Sequence, residues 1–294
     1  MKKNRRRGRT FQVLLLFLLA AGLMGYPFLS NLMFEVRAGS YVKEIAETAE
    51  NMNASGKKRI LREAYQYNES LACGNVRLTD PFIAAIPGEK KENYCSVLSA
   101  DADGVMGSIE IPVIGVRLPI YHGTTEEVLQ KGAGHLYGTS LPVGGESTHS
   151  VLTGHTGIGR AKLFTDLTAM EKGDVFFLHI WGETLAYETD QIKIVRPADL
   201  SDLYIESGKD YCTLVTCTPY GVNSHRLLVR GERVSDPEKV KNEAADSAKD
   251  RGSEWMREYL HALWISLAAF LTGFLGVTFF RWRRNGVKND RIWE

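Results

Sequence analysis

The sequence predicts a mainly β protein built around a barrel or sandwich of short strands. Strand-like runs, either alternating in polarity or rich in β-branched residues, recur from residue 105 to residue 235. Gly, Pro or Asn separates most of these runs, which is the spacing typical of all-β barrels and sandwiches. Apolar residues at helical spacing precede this region. A chain of 294 residues is long enough for one or two domains.

The expected elements follow one another in a simple order. Helical spacing occurs first at 42–46 and 57–71, and Asn53–Gly56 breaks it. Short helical pieces are expected later, at 125–129 and 162–167. The strand-like segments of the β region are 108–112, 117–121, 149–153, 175–181, 184–188, 191–195, 212–216 and 226–229.

A rigid turn lies between the helical segments and the β region, at Asp80, Pro81 and Phe82. Proline fixes its own φ and restricts the residue before it to extended conformations. A carboxylate and an aromatic ring therefore share a stiff projection. By pattern alone, an ordinary surface turn is the favoured interpretation.

Two long apolar stretches flank these regions, at 11–29 and 262–280. The first follows a basic N-terminus and has the pattern of a signal peptide or an anchor, and Val36–Ala38 would suit a cleavage site. The second has the ~20 residues that a spanning helix needs and precedes several arginines. We expect two membrane spans with both termini cytoplasmic and the rest outside. The alternative for the second stretch is a buried core helix.

Composition excludes several function classes. A net charge of +1 leaves no electrostatic footprint for nucleic acid. Four cysteines in this length match neither a disulfide scaffold nor a zinc pattern, and the histidines lack metal-ligand spacing. The glycine-rich segment Gly154–Ala161 lacks the Lys and Ser/Thr of a phosphate-binding loop. We therefore expect no cofactor and no metal.

The strongest chemical signal is Cys217, at the end of the run 213–217 and just before a break at Pro219 and Gly221. Nine residues later, Arg226 begins the return strand. If the two strands lie side by side, the guanidinium meets the thiol and favours the nucleophilic thiolate. A buried structural cysteine is the more common alternative. Cys212, on the opposite strand face, is expected to be such a packing residue.

A cysteine nucleophile requires an imidazole from elsewhere in the fold. His155 is the best candidate because it ends a β-type run and stands between Gly154 and Gly157, which leave the ring accessible. His149 lies inside the same run and suits a structural role. His225, next to the arginine, remains an alternative.

These residues together resemble the sortase family. Thr213-Leu-Val-Thr-Cys217 matches the family's TLxTC signature, Thr153-Gly-His-Thr-Gly157 matches the segment around its histidine, and Arg226 matches its arginine. The resemblance covers about 106–234. It implies a sortase-like closed β-barrel and a cysteine transpeptidase on the outer face of a Gram-positive cell membrane, with Cys217, His155 and Arg226 as the catalytic residues.

The turn at Asp80, Pro81 and Phe82 is similar to the lid motif of class C sortases, which assemble pili. That resemblance implies that Asp80 approaches Arg226 and that Phe82 covers Cys217. It also implies pilin partners that carry an LPxTG-like sorting signal and an acceptor lysine, with the lipid bilayer as a further partner. The alternatives are a housekeeping sortase that acts on the cell-wall precursor and a catalytically silent binding module.

These interpretations divide the chain into six parts and add one candidate crosslink. Cys73 and Cys95 flank the turn and would close a loop of about twenty residues, although spacing alone leaves two unpaired thiols equally open. The parts are the anchor or signal segment 1–35, the helices and lid 36–104, the catalytic barrel 105–235, a charged linker 236–260, a second span 261–281 and a basic tail 282–294.

Overall fold

The computed structural model describes residues 2–72, 76–99, 104–156, 161–237, 240 and 254–289. The chain divides into two compact units, residues 1–252 and 253–294. Within the first unit, three helices precede a barrel of eight strands. The described part of the second unit is a single helix, α5 (Glu254–Asn289).

The strands of the barrel are β1 (Val105–Ile111), β2 (Val116–His122), β3 (Ala133–His135), β4 (Thr148–Thr153), β5 (Val175–Ile180), β6 (Glu183–Val195), β7 (Asp210–Thr218) and β8 (His225–Val234). The barrel closes in the order β1-β2-β3-β4-β7-β8-β6-β5. Most neighbouring strands are antiparallel, but β2 runs parallel to β3 and β4 runs parallel to β7. The interior is filled by side chains that alternate inward along each strand, which is the usual filling of a small barrel.

The prediction of a closed β-barrel is confirmed, with two differences in its strands. The segments 184–188 and 191–195 form one strand, β6, whose register shifts between Thr189 and Gln191. A bulge of this kind bends a strand without ending it. The polar residues at the bulge therefore looked like a boundary between two strands in the sequence. Strand β3 was not predicted because it has only three residues, one of which is glycine.

Helices α1 (Lys2–Asn51), α2 (Ala54–Ala72) and α3 (Gly88–Ser96) precede the barrel, and a short helix α4 (Glu126–Leu129) follows β2. The C-terminal part of α1 and the first half of α2 pack against the barrel core. Tyr94 of α3 is fully buried in the same core. The boundary expected at residue 35 does not coincide with a break, because α1 continues through it.

Among the residues that the structure describes, no helix combines the length and the apolar character needed to cross a membrane. The two spans expected at 11–29 and 262–280 are therefore not supported, and neither are the flanking transmembrane helices of the predicted fold class. Most of the expected linker 236–260 and the end of the tail 282–294 lie outside the described residues.

Candidate active site

Strands β7 and β8 bring Cys217 and Arg226 together. The two strands are antiparallel and in register, so these two residues form a direct cross-strand pair. Cys217 stands one residue before the end of β7 and is buried, with 9% of its surface exposed. Burial raises the pKa of the Cys217 thiol, the Arg226 guanidinium acts against this by lowering it, and the Asp80 carboxylate raises it further.

The guanidinium of Arg226 is held on several sides. Its Nε and Nη2 donate to the two carboxylate oxygens of Asp80 at 2.9 and 2.7 Å. Its Nη1 donates to the backbone oxygens of Asn223 and His225 at 3.1 Å each. Paired donation from a planar fork to a carboxylate is the strong form of this interaction. The hydrogen bond to Asp80 is the main reason that the pKa of Arg226 is raised.

The turn formed by Asp80, Pro81 and Phe82 lies directly over this end of the barrel. Ile83 N donates to the Asp80 carbonyl oxygen at 3.0 Å, which closes the turn. The Phe82 ring contacts the Arg226 guanidinium at 4.8 Å and the His155 ring at 5.7 Å between centroids. The turn therefore touches both residues that were predicted to assist the thiol.

His155 follows β4 and is positioned by its backbone. Gly154 N donates to Val215 O at 3.0 Å, and the Thr216 hydroxyl donates to Gly154 O at 2.8 Å, so β7 holds this loop. A Cβ on Gly154 would lie 2.6 Å from the Phe164 ring, which explains the glycine. Because β4 and β7 are parallel and in register, His155 and Cys217 leave the barrel at the same end.

One contact of His155 was missed by the sequence analysis. Its Nε2 lies 3.0 Å from Oε2 of Glu126, the first residue of α4. Thr125 caps that helix by accepting from Val128 N. The capping residue and acidic first turn were visible in the sequence, but nothing in that pattern indicated which side chain the carboxylate would reach.

The other candidate side chains have different partners. His149 is buried between Tyr204 O and the Thr213 hydroxyl, as its position inside a strand predicted. His225 contacts the neighbouring Ser224 hydroxyl at 2.9 Å. Cys212 is fully buried in the core, and burial raises the pKa of its thiol well above the usual range.

The predicted bridge between Cys73 and Cys95 stays a prediction. Cys73 lies outside the described residues, so the structure does not test this pairing. Residues 157–160 of the glycine-rich segment also lie outside them. In the described part of the chain, no group of three or more His, Cys, Asp or Glu side chains could hold a metal ion.

A buried thiol, a guanidinium and an imidazole at one end of a barrel suit acyl transfer through a covalent thioester. Residues 109–234 match the family model described as a sortase domain. The sortase C of Streptococcus pneumoniae is 44% identical, with a TM-score of 0.62, over 67% of this chain and 97% of that one. The chain belongs to the sortase family.

Two further comparisons extend this assignment. Sortase C-1 of Actinomyces oris is 45% identical with a TM-score of 0.59, and the match covers 62% of this sortase and 99% of that chain. Sortase A of Bacillus anthracis is 27% identical over 231 residues, which are 79% of this chain and 97% of that protein. Both of these solved structures are class C sortases, and sortases are cysteine transpeptidases.

Proposed function

We propose that this sortase cleaves an LPxTG-like sorting signal between Thr and Gly and joins the acyl group to a pilin lysine. The observation that carries the proposal is the cross-strand pair of Cys217 and Arg226, clasped by Asp80 and Phe82 of the preceding turn. The similarity to class C sortases, one of which is described with its pilin substrate specificity, supports the choice of substrate.

In the first half-reaction, the Cys217 thiolate attacks the carbonyl carbon of the threonine. A C–S bond forms and the C–N bond to glycine breaks. The imidazolium of His155 gives its proton to the departing amine, as a general acid. Arg226 donates hydrogen bonds to the carbonyl oxygen while negative charge develops on it, and its own charge persists at any working pH.

In the second half-reaction, the ε-amine of a lysine attacks the thioester carbon. The new C–N bond replaces the C–S bond, and neutral His155 takes up the proton released by the amine. Cys217 returns to its starting state. No oxidant or further reactant is needed, so atoms and charges balance over the two steps.

The turn at Asp80, Pro81 and Phe82 acts as a lid that inhibits the resting enzyme. Asp80 accepts from Nε and Nη2, the edge of the Arg226 guanidinium that would bind the substrate oxygen. Its carboxylate also raises the pKa of the Cys217 thiol, which disfavours the nucleophilic form. Lifting the lid would free the guanidinium and leave its thiolate-favouring charge unopposed by Asp80.

We infer that the reaction takes place outside the cytoplasm, where the sortases that this chain resembles act on surface proteins. The experiment that tests the proposal combines the full chain with a pilin that has the sorting signal. We expect a ladder of covalent polymers that disappears with Cys217→Ala and with replacement of the acceptor lysine. A ladder that persists in the Cys217→Ala variant would refute the proposed nucleophile.

The competing function is that of a housekeeping sortase, which joins proteins to the cell-wall precursor. It is favoured by the relatives named sortase A, at 27% to 33% identity. The same experiment, repeated with the cell-wall precursor added, separates the two. If the lysine replacement leaves the products unchanged while an amine of the cell-wall precursor is used, the housekeeping function is correct.

A further inference from the structure

The carboxylate of Glu126 is held at both oxygens. Oε2 lies 3.0 Å from Nε2 of His155, and Oε1 accepts a hydrogen bond from the Gln130 side chain at 2.8 Å. Gln130 stands one turn later, so the helix α4 and the residue that follows it fix the direction of the carboxylate. Glu126 is thus aimed at the imidazole by its own helix.

The contact is too exposed to be explained as a stabilising ion pair. The Glu126 side chain is 66% exposed, whereas the His155 side chain is only 17% exposed. Exposed ion pairs contribute little to folding stability, because water screens them and two side chains lose freedom. The contact therefore affects mainly the orientation of the imidazole.

The imidazole is also fixed from its face. The Phe82 ring lies 5.7 Å from it while the lid is closed, so Glu126 and Phe82 restrain it together. When the lid lifts, the contact with Phe82 is lost, whereas Glu126 belongs to α4 and is not part of the lid. Glu126 is then the contact that keeps the ring oriented during the reaction.

We propose that Glu126 is the positioning residue of His155. This inference rests on the proposed function, in which His155 transfers the proton. An ionised carboxylate only accepts hydrogen bonds, so Nε2 must keep its proton to make this contact. The proton that moves between the amine and the imidazole then belongs to Nδ1, and Glu126 selects that tautomer.

The test compares the full-length enzyme with Glu126→Ala and Glu126→Gln. Glutamine has an amide oxygen that can still accept from Nε2, whereas alanine has no acceptor. We expect Glu126→Ala to lower kcat about tenfold with KM unchanged, a fraction of the roughly 10²- to 10⁴-fold that acid–base catalysis contributes. Glu126→Gln should restore kcat to within about threefold of the wild type, because it keeps the acceptor.

The matched control is Glu127→Ala, on the same short helix. It removes another exposed charge from the first turn of α4, so it reports any effect of local charge or helix stability alone. We expect its kcat to equal that of the wild type. If Glu127→Ala and Glu126→Ala lose the same activity, or if Glu126→Ala loses none, the positioning role is wrong.

A second readout does not depend on activity. Two-bond ¹H–¹⁵N correlations of the imidazoles, with His155 assigned from a His155→Gln sample, report which nitrogen is protonated when the ring is neutral. We expect the Nε2–H tautomer in the wild type and exchange between tautomers in Glu126→Ala. Averaged nitrogen signals in the wild type would overturn the inference.

The two readouts also separate failure of this inference from failure of the proposed function. If the wild type transfers no acyl group to an amine, the proposed function fails, and the tautomer measurement still decides the role of Glu126. If transfer occurs but Glu126→Ala is indistinguishable from the wild type, only the positioning role fails.

Discussion

Two arginines on β8, Arg226 and Arg230, are held in closely similar ways. Arg226 forms a paired hydrogen bond with Asp80 and lies 4.8 Å from the Phe82 ring. Arg230 forms a paired hydrogen bond with Asp190 and lies 4.1 Å from the Tyr211 ring. Because the arginines are four residues apart on one strand, they are on the same face.

The difference lies in where each aspartate comes from. Asp190 belongs to β6, the strand directly bonded to β8, so its pairing with Arg230 is part of the barrel. Asp80 lies 146 residues from Arg226, on a turn that precedes the barrel. We propose that the pair of Arg230 and Asp190 is a permanent brace of the barrel, and that the pair of Arg226 and Asp80 is a clasp that opens when the turn lifts. Only the releasable clasp is next to a thiol.

The largest expected effect comes from replacing each arginine by lysine, which keeps the charge but loses the planar fork. Arg226→Lys should lower kcat/KM roughly 10²- to 10³-fold, as when one oxyanion donor is removed. Arg230→Lys should keep its turnover and lose about 1–2 kcal/mol of unfolding free energy instead. Peptide transfer assays and urea unfolding measure the two quantities.

If both variants lost activity equally, the comparison would fail, because the loss at Arg226 could then not be assigned to a catalytic role. Near-normal turnover in Arg226→Lys would show that Arg226 serves only as an ion-pair residue.

The next largest effect is the pH dependence of folding stability that comes from His149, a neighbour of Arg230. His149 contacts the Tyr211 ring, and its pKa is lowered to about 4, mainly by burial and further by the charge of Arg230. In the unfolded chain, His149 therefore becomes protonated as the pH falls through about 6.5, whereas in the folded chain it becomes protonated only near pH 4. Stability from this group is fully present above pH 6.5 and falls as pH drops toward 4.

Because of this difference in pKa, the free energy of unfolding should fall by about 2 kcal/mol between pH 7 and pH 5. Unfolding by urea at the two pH values, in the wild type and in His149→Gln, isolates the contribution as a difference. The wild type should lose about 2 kcal/mol more unfolding free energy between pH 7 and pH 5 than His149→Gln loses. An equal difference at both pH values would contradict the assignment to His149.

The smallest of these effects is the release of the clasp. Asp80→Ala should speed the labelling of Cys217 by a thiol reagent about tenfold, since the paired hydrogen bond is worth ~1.5 kcal/mol or more. Adding Phe82→Ala should raise the rate further. Asp190→Ala, which removes the equivalent carboxylate from Arg230, should label Cys217 at the wild-type rate. Equal acceleration by Asp80→Ala and Asp190→Ala would mean general loosening and would exclude a lid.

Much of this arrangement could be predicted from local sequence. The strand end at Cys217 and the return strand at Arg226 are local patterns, and they predicted the cross-strand pair that these two residues form. The contact between Asp80 and Arg226 required the family resemblance, because no local pattern relates residues 146 positions apart. The contact between Glu126 and His155 was not predictable for the same reason, at a separation of 29 residues. Strand β3 was missed because three residues are too few for a periodic signal.

The comparison of the two cysteines on β7 leads to the most direct measurement. Cys212 and Cys217 are five residues apart, and only Cys217 is opposite an arginine. Mass mapping after incubation with an LPxTG-like peptide, quenched before an amine is added, should find the acyl fragment on the peptide that contains Cys217. The adduct should persist in Cys212→Ala and be absent in Cys217→Ala. An adduct on Cys212 or Cys95, or one that survives in Cys217→Ala, would contradict the account.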